Sequence, residues 1–166
     1  MAVNLRLEGA EGLEAALTHA QAVVRAEQLR AMQTALLLVE ADARRNVAHD
    51  TRQLMNSITN RMAFRGDTLV GQVGPSVRYG VYVEKGTRPH WPPAAPLVGW
   101  ARRHGVPVIA VQRAIARRGT RARPFLVPAF TKNREKIVAL FGASAQAITA
   151  TIAGVSGAIT VRRTGR

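Results

Sequence analysis

Four histidines, ten carboxylates and no cysteine bound the chemistry this chain can carry. The missing thiols remove thiolate zinc sites, cysteine nucleophiles and disulfide scaffolds together. His19 falls in a helix-forming stretch, His49 just after it, and His90 and His104 in a region rich in proline and arginine. None has a second His, Asp or Glu at a metal-ligand spacing, so all four read as surface or lightly buried side chains and no metal is expected. Ser57, Ser76, Ser144 and Ser156 lack a Gly-x-Ser-x-Gly elbow, and no lysine stands at a Ser-x-x-Lys spacing. No Gly-x-x-x-x-Gly-Lys phosphate loop occurs, and eight of the ten acids lie in residues 1–83, which leaves no carboxylate pair to place. Glu84 is the acid to single out, because it lies between an extended pattern and a glycine. Its expected role is a salt bridge to Arg88 or to an arginine of another subunit. The expectation is a non-enzyme without cofactors.

Arginine is the chemistry that remains. Basic residues number 24 against 10 acids, a net charge of +14. Residues 1–83 hold 9 basic and 8 acidic side chains, whereas residues 84–166 hold 15 and 2, so the positive charge is one-sided. Only Lys85, Lys132 and Lys136 are lysines. An arginine-favouring genome explains that excess as well as guanidinium forks for phosphate or carboxylate do. The missing acids are local, however. Arg102, Arg103, Arg113, Arg117, Arg118, Arg121 and Arg123 run through 101–123 without one acid, and Arg113 and Arg117 share a helix face. Arg102, Arg103, Arg113, Arg117, Arg118 and Arg121 are candidates to face DNA or another anion, with salt-dependent, non-specific phosphate contact. A solvated basic face paired with acids on a neighbouring protein is the competing reading. Trp91 and Trp100 flank the run and either stack on bases or anchor a loop. No helix-turn-helix or other base-reading motif is present.

The elements that must hold these residues follow from pattern. At 166 residues the chain is a single-domain length able to bury a core, and at 5% aromatic content that core is aliphatic. Met1 to Gly9 shows no basic-then-apolar leader, and no apolar run is expected to approach the ~20 residues a membrane helix needs. A soluble chain with no membrane partner is therefore expected. Val3, Leu5 and Leu7 alternate as a first strand. From Ala10 to about Val47 there is no proline, and Leu29, Met32, Leu36, Val39, Ala43 and Val47 form one apolar stripe of a helix. Unbroken, that helix would be ~57 Å long, against a diameter of about 40 Å for a compact domain of this size. It must bend, break or project, and a projecting helix lies on a neighbouring subunit.

Asp50 or Thr51 can cap a short helix through Ser57. Ile58–Phe64 and Thr68–Val73 read as a hairpin around Arg65-Gly66-Asp67. Val77, Tyr79, Val81 and Val83 alternate as a further strand ending at Gly86, which makes a meander of three or four strands. Leu97–His104 and Val111–Arg118 read as short helices closed by Gly105 and Gly119. Pro124 holds Arg123 extended, and Pro128 is tolerated in the first turn of a last helix running to about Thr151. The fold class is α+β: long N-terminal and C-terminal helices packed on a small antiparallel sheet. One domain covers 1–153, and 154–166 is a basic tail.

Two blocks organise the chain, Tyr-x-x-Tyr-Val-Glu-x-Gly-Thr at 79–87 and Ala-Arg-Pro-Phe-Leu-x-Pro-Ala at 122–129, with Asp50-Thr51-x-x-Leu54-x-Asn56-Ser57-Ile58 upstream. In this order they resemble the small tail-component proteins of long-tailed double-stranded DNA phages and prophages, which act at the head–tail junction as neck or tail-completion proteins. The resemblance implies a structural virion protein, a neck, tail-completion or tail-terminator subunit assembled in the bacterial cytoplasm. It implies a homo-oligomeric ring, a hexamer, that joins connector and head-closure proteins to the tail tube and lets DNA pass. Tyr79, Tyr82, Glu84, Gly86, Arg123, Pro124, Phe125 and Pro128 would then supply scaffold and subunit interface. Compact members of that family pass from Gly-Thr to Ala-Arg-Pro-Phe with little between, so 88–119 reads as an insertion that meets partners. The chain departs from the family pattern at Arg52, where members often carry glycine. The alternative from another class is a free, non-specific basic DNA-binding protein.

Overall fold

Helix α1, Ala10–Asn46, is unbroken for 37 residues, because Ala, Leu, Glu, Gln and Arg dominate it and neither proline nor a late glycine interrupts it. It ends with Arg44 and Arg45 in its last turn, where cations suit the negative end of the helix dipole. The structure, a computed structural model, describes residues 4–8, 10–47, 52–156 and 160–164. It is an α+β fold and is 67% helical. After α1 come α2 (Gln53–Ser57), β2 (Ile58–Arg65), β3 (Thr68–Pro75), α3 (Gly80–Lys85), α4 (Ala95–Arg103), α5 (Val108–Arg118) and α6 (Leu126–Ser156), with β1 (Asn4–Glu8) and β4 (Thr160–Thr164) at the two ends.

Two compact units partition the chain. The first comprises Met1–Leu38, Arg61–Gln72 and Asn133–Arg166, the second Val39–Asn60 and Val73–Lys132. Helix α1 contributes residues to both. In the first unit Ala20, Ala31, Ala35 and Leu36 are buried. Gly71 lets β3 come close to α1: a Cβ there would lie 2.4 Å from Met32 Sδ and 2.9 Å from Leu36 Cδ2. Arg25 lies over the Phe64 ring at 5.3 Å. Strands β1 and β4 pair antiparallel with Leu7 opposite Val161 and Leu5 opposite Arg163. The sequence leaves 154–166 as a tail; instead α6 continues to Ser156 and Thr160–Thr164 form a strand.

The second unit is centred on Phe125 and Ile58, both fully buried, with Ala43, Val47, Leu54 and Ala129 also buried. Polar groups tie its parts. The Arg44 guanidinium donates to the Ile58 carbonyl at 2.7 and 3.2 Å and pairs with Glu40 at 2.7 Å. Asn60 also donates to Glu40. Asp42, buried on α1, pairs with Arg45 and accepts from Lys132 at 3.2 Å, which satisfies a carboxylate that burial would otherwise penalise. Periodicity alone marks Val39, Ala43 and Val47 but gives no sign that Glu40 and Asp42 face inward too.

Three further expectations need correction. The meander is instead two separate two-stranded sheets, β2–β3 and β1–β4. The Tyr79 segment is not a strand: α3 occupies Gly80–Lys85. The period-two pattern misleads because Tyr79, Val81 and Tyr82 face outward, while the buried position is Gly80, where a Cβ would meet Pro75 Cγ at 2.4 Å. A glycine that marks close backbone approach carries no apolar signal. Third, α6 contains a stretch long and apolar enough to cross a membrane by length and composition, Leu126–Gly154, with 6% of its apolar window buried. No charge occurs from Ile137 to Val161, but alanine, serine and threonine fill the stretch and dilute its apolar look.

Arg52 stands where the resembled pattern often has glycine. It has φ +57° and ψ −1°, the left-handed region that glycine occupies without strain. It is the one non-glycine residue with positive φ among the described residues. The expected cap at Asp50 or Thr51 lies outside those residues; at Arg52 itself no side-chain cap forms. Replacing Arg52 by glycine relieves about 1–2 kcal/mol of backbone strain and gives back about 0.5–1 kcal/mol in chain entropy. Arg52→Gly should raise the melting temperature by about 2 °C. A fall in thermal denaturation would show that the guanidinium contributes more than its backbone costs.

Candidate interaction surface

Helix α6 begins at Leu126 with Pro128 as its third residue, and the first amides of any helix lack intrahelical partners. Pro128 has no N–H, so the orphan donors are those of Phe125, Leu126 and Val127. All three are taken by one carboxylate. Glu84 Oε2 accepts from Phe125 N at 2.7 Å and Leu126 N at 3.0 Å, and Oε1 accepts from Val127 N at 3.0 Å. Negative charge also suits the positive end of the helix dipole. This corrects the expected role of Glu84: its partners are backbone amides, not the Arg88 side chain. Arg123 N donates to the Val83 carbonyl at 2.8 Å beside it. The blocks at 79–87 and 122–129 are thus one substructure. Phe125 lies at its buried centre, and its carbonyl accepts from Asn46 at 3.4 Å.

A second device closes the base of the 88–119 insertion. Thr87 and Thr120 exchange both backbone hydrogen bonds, at 3.1 and 3.2 Å, and their hydroxyls are bonded at 3.0 Å. The residue before each threonine is a glycine: Gly86 at φ +71°, ψ −177° and Gly119 at φ +70°, ψ −161°. Side chains are essentially excluded from that backbone region. Space excludes them too, since a Cβ on Gly86 would lie 2.5 Å from the Thr120 carbonyl oxygen, and one on Gly119 2.0 Å from that of Thr87. The signal was in the sequence, where Gly-Thr-Arg occurs at 86–88 and again at 119–121.

Inside the insertion, buried Gln112 on α5 donates to the Pro92 carbonyl at 2.9 Å, Ala101 on α4 is buried, and Val106 N donates to the Ala101 carbonyl at 3.0 Å. Gly105 and Gly119 follow α4 and α5 with positive φ, where C-terminal glycines are expected. The candidate anion-facing residues Arg102, Arg103, Arg113, Arg117, Arg118 and Arg121 are all exposed. Arg102 and Arg103 occupy the last turn of α4, and Arg117 and Arg118 that of α5, so the helix dipoles favour them there as well. Trp100 stacks on His104 with centroids 4.1 Å apart, whereas Trp91 is 57% exposed.

The other predicted scaffold residues divide. Phe125 and Pro128 belong to the clamp, Gly86 to the Thr87–Thr120 closure, and Pro124 precedes the clamp in a segment without regular structure. Tyr79, Tyr82 and the Arg123 side chain are exposed, Tyr82 at 60%. Among the described residues no three His, Asp or Glu side chains gather as a metal site. Comparison with protein-family models, with curated proteins and with solved structures found no match.

Proposed function

We propose that this chain is a structural subunit of the head–tail junction of a long-tailed DNA phage, acting without catalysis. It would form a ring, a hexamer, as a neck, tail-completion or tail-terminator protein, joining the connector to the tail tube around the passing DNA. The observation that carries this reading is the Glu84 clamp, which makes one rigid element of the two sequence blocks that resemble that family. Rings require two different patches that meet around a closing rotation. Two exposed apolar faces suit that demand: Tyr79, Val81 and Tyr82 on α3, and Val138, Phe141 and Ile152 on α6. The small residues of α6 suit close helix approach, so neighbouring copies are the proposed cover for it.

The test is to locate a labelled chain in purified particles and to measure the isolated chain by light scattering. Label at the collar, with a closed ring in isolation or only in the particle, supports the joint. A particle that lacks the chain overturns it. A second reading, a free non-specific DNA-binding protein, is favoured by the exposed arginines, and tight duplex binding by a monomer found outside particles would select it.

A further inference from the structure

We propose that residues 88–119 form a base-closed module that grips nucleic-acid phosphates through Arg102, Arg113, Arg117 and Arg118. The chain leaves and rejoins its scaffold at one hydrogen-bonded pair, Thr87 and Thr120. The module is held internally by the Gln112–Pro92 and Val106–Ala101 bonds. Its arginines therefore project from ordered helices, and little backbone entropy is lost on binding.

Charge selects the ligand. No Asp or Glu occurs between Glu84 and Glu135. A basic stripe with no acid in it is the electrostatic footprint of a polyanion, and an acidic protein face is the competing occupant that the titration separates. Guanidinium stays charged, is weakly hydrated and matches phosphate oxygens in pairs. Arg113 and Arg117 lie one turn apart on α5 and are exposed together with Arg118 and, from α4, Arg102. Exposed Trp91 adds a surface on which an unpaired base can stack. The inference rests on the virion-joint reading for where DNA is met, and on the module alone for how.

The experiment titrates duplex and single-stranded DNA with the full chain across salt. Each phosphate contact contributes about −0.9 to the slope of log K against log salt on duplex. Replacing Arg102, Arg113, Arg117 and Arg118 together by serine should reduce the magnitude of that slope by about 3–4 and weaken binding by at least about 100-fold at 0.1 M salt. A second variant replaces 88–119 by Asn-Gly, the two-residue connection an antiparallel hydrogen-bonded pair accepts. It should keep a cooperative melt and lose DNA binding. Tighter binding of single strands that Trp91→Ala abolishes adds base stacking to the grip; equal binding leaves phosphate contact alone. Unchanged DNA binding in either variant overturns the proposal, as does a wild-type chain that ignores both DNAs or binds only an acidic protein. A chain that binds DNA through this module but is absent from purified particles sinks the joint and spares the module. A ring whose module ignores DNA does the reverse.

Discussion

Glu84→Ala should lower stability by about 3 kcal/mol. Three amides lose their acceptor at once, and α6 keeps no substitute, because its end is built from Phe125, Leu126, Val127 and a proline. A hydrogen bond to a charged group contributes about 1.5–3 kcal/mol, and losing an ordinary helix cap costs about 0.5–2 kcal/mol. The carboxylate is half-buried and water reaches the freed Val127 amide, so the three bonds do not add in full. At this chain length a 3 kcal/mol loss corresponds to a fall of about 6–12 °C in melting temperature. Glu84→Gln separates charge from shape. Its oxygen can serve Phe125 and Leu126, but its amide then confronts the Val127 N–H, donor against donor, and about half the loss should remain. Circular dichroism melts of the two variants test this. Equal melting of Glu84→Ala and the wild type would mean that α6 is held by its packing, and that the two blocks are neighbours without being coupled.

Helices were the legible part of this fold. Composition over tens of residues marks α1, and glycines mark the ends of α4 and α5 within a residue or two, because helix propensity and C-terminal glycine act locally. The hairpin at Gly66-Asp67 is local in the same sense. Long-range geometry was not legible. Glu84 and Val127 are far apart in sequence, and nothing around either names the other; Pro128 marks the first turn of α6, and so the amides that need an acceptor, but not where that acceptor comes from. The strand expected at Tyr79 failed for a related reason. Four alternating apolar residues fit a pleat, yet only Tyr79 and Val81 among them are exposed while Val77 and Val83 are half-buried, and the deciding fact is the close approach of Gly80 to Pro75, which resides in tertiary structure.

The candidate site shows the same division. Its arginines are surface residues, and exposure of long cations can be anticipated without a structure. Their presentation cannot. The repeated Gly-Thr-Arg has two copies separated by the insertion, so it shows no periodicity, and it gains meaning only when the threonines pair. Once they do, the insertion has a defined root, and its charge can be altered without touching the Glu84 clamp.

Gly119→Ala should be more disruptive than its single added methyl implies. Two costs combine. The backbone at φ +70°, ψ −161° is a region that costs a side-chain-bearing residue about 1–3 kcal/mol. The new Cβ would then fall 2.0 Å from the Thr87 carbonyl oxygen, the atom that accepts from Thr120 N, so the added group displaces the bond that closes the module. A lost backbone hydrogen bond adds about 1 kcal/mol, for a total of about 3 kcal/mol or more. Gly105→Ala is the internal control: Gly105 also has positive φ, +65°, but nothing lies within 4 Å of its added Cβ. That variant should lose only about 1 kcal/mol, the left-handed strain alone. Melting temperature gives the first readout, with Gly119→Ala falling by about 6–12 °C and Gly105→Ala by about 2–4 °C. Trypsin gives the second, because an opened root exposes the backbone after Arg113, Arg117 and Arg118 to cleavage. Gly119→Ala should be cut there faster than the wild type at a temperature where both remain folded, and Gly105→Ala should not. Equal effects from the two substitutions would show that backbone strain alone matters, and that the Thr87–Thr120 pair does not hold the module shut.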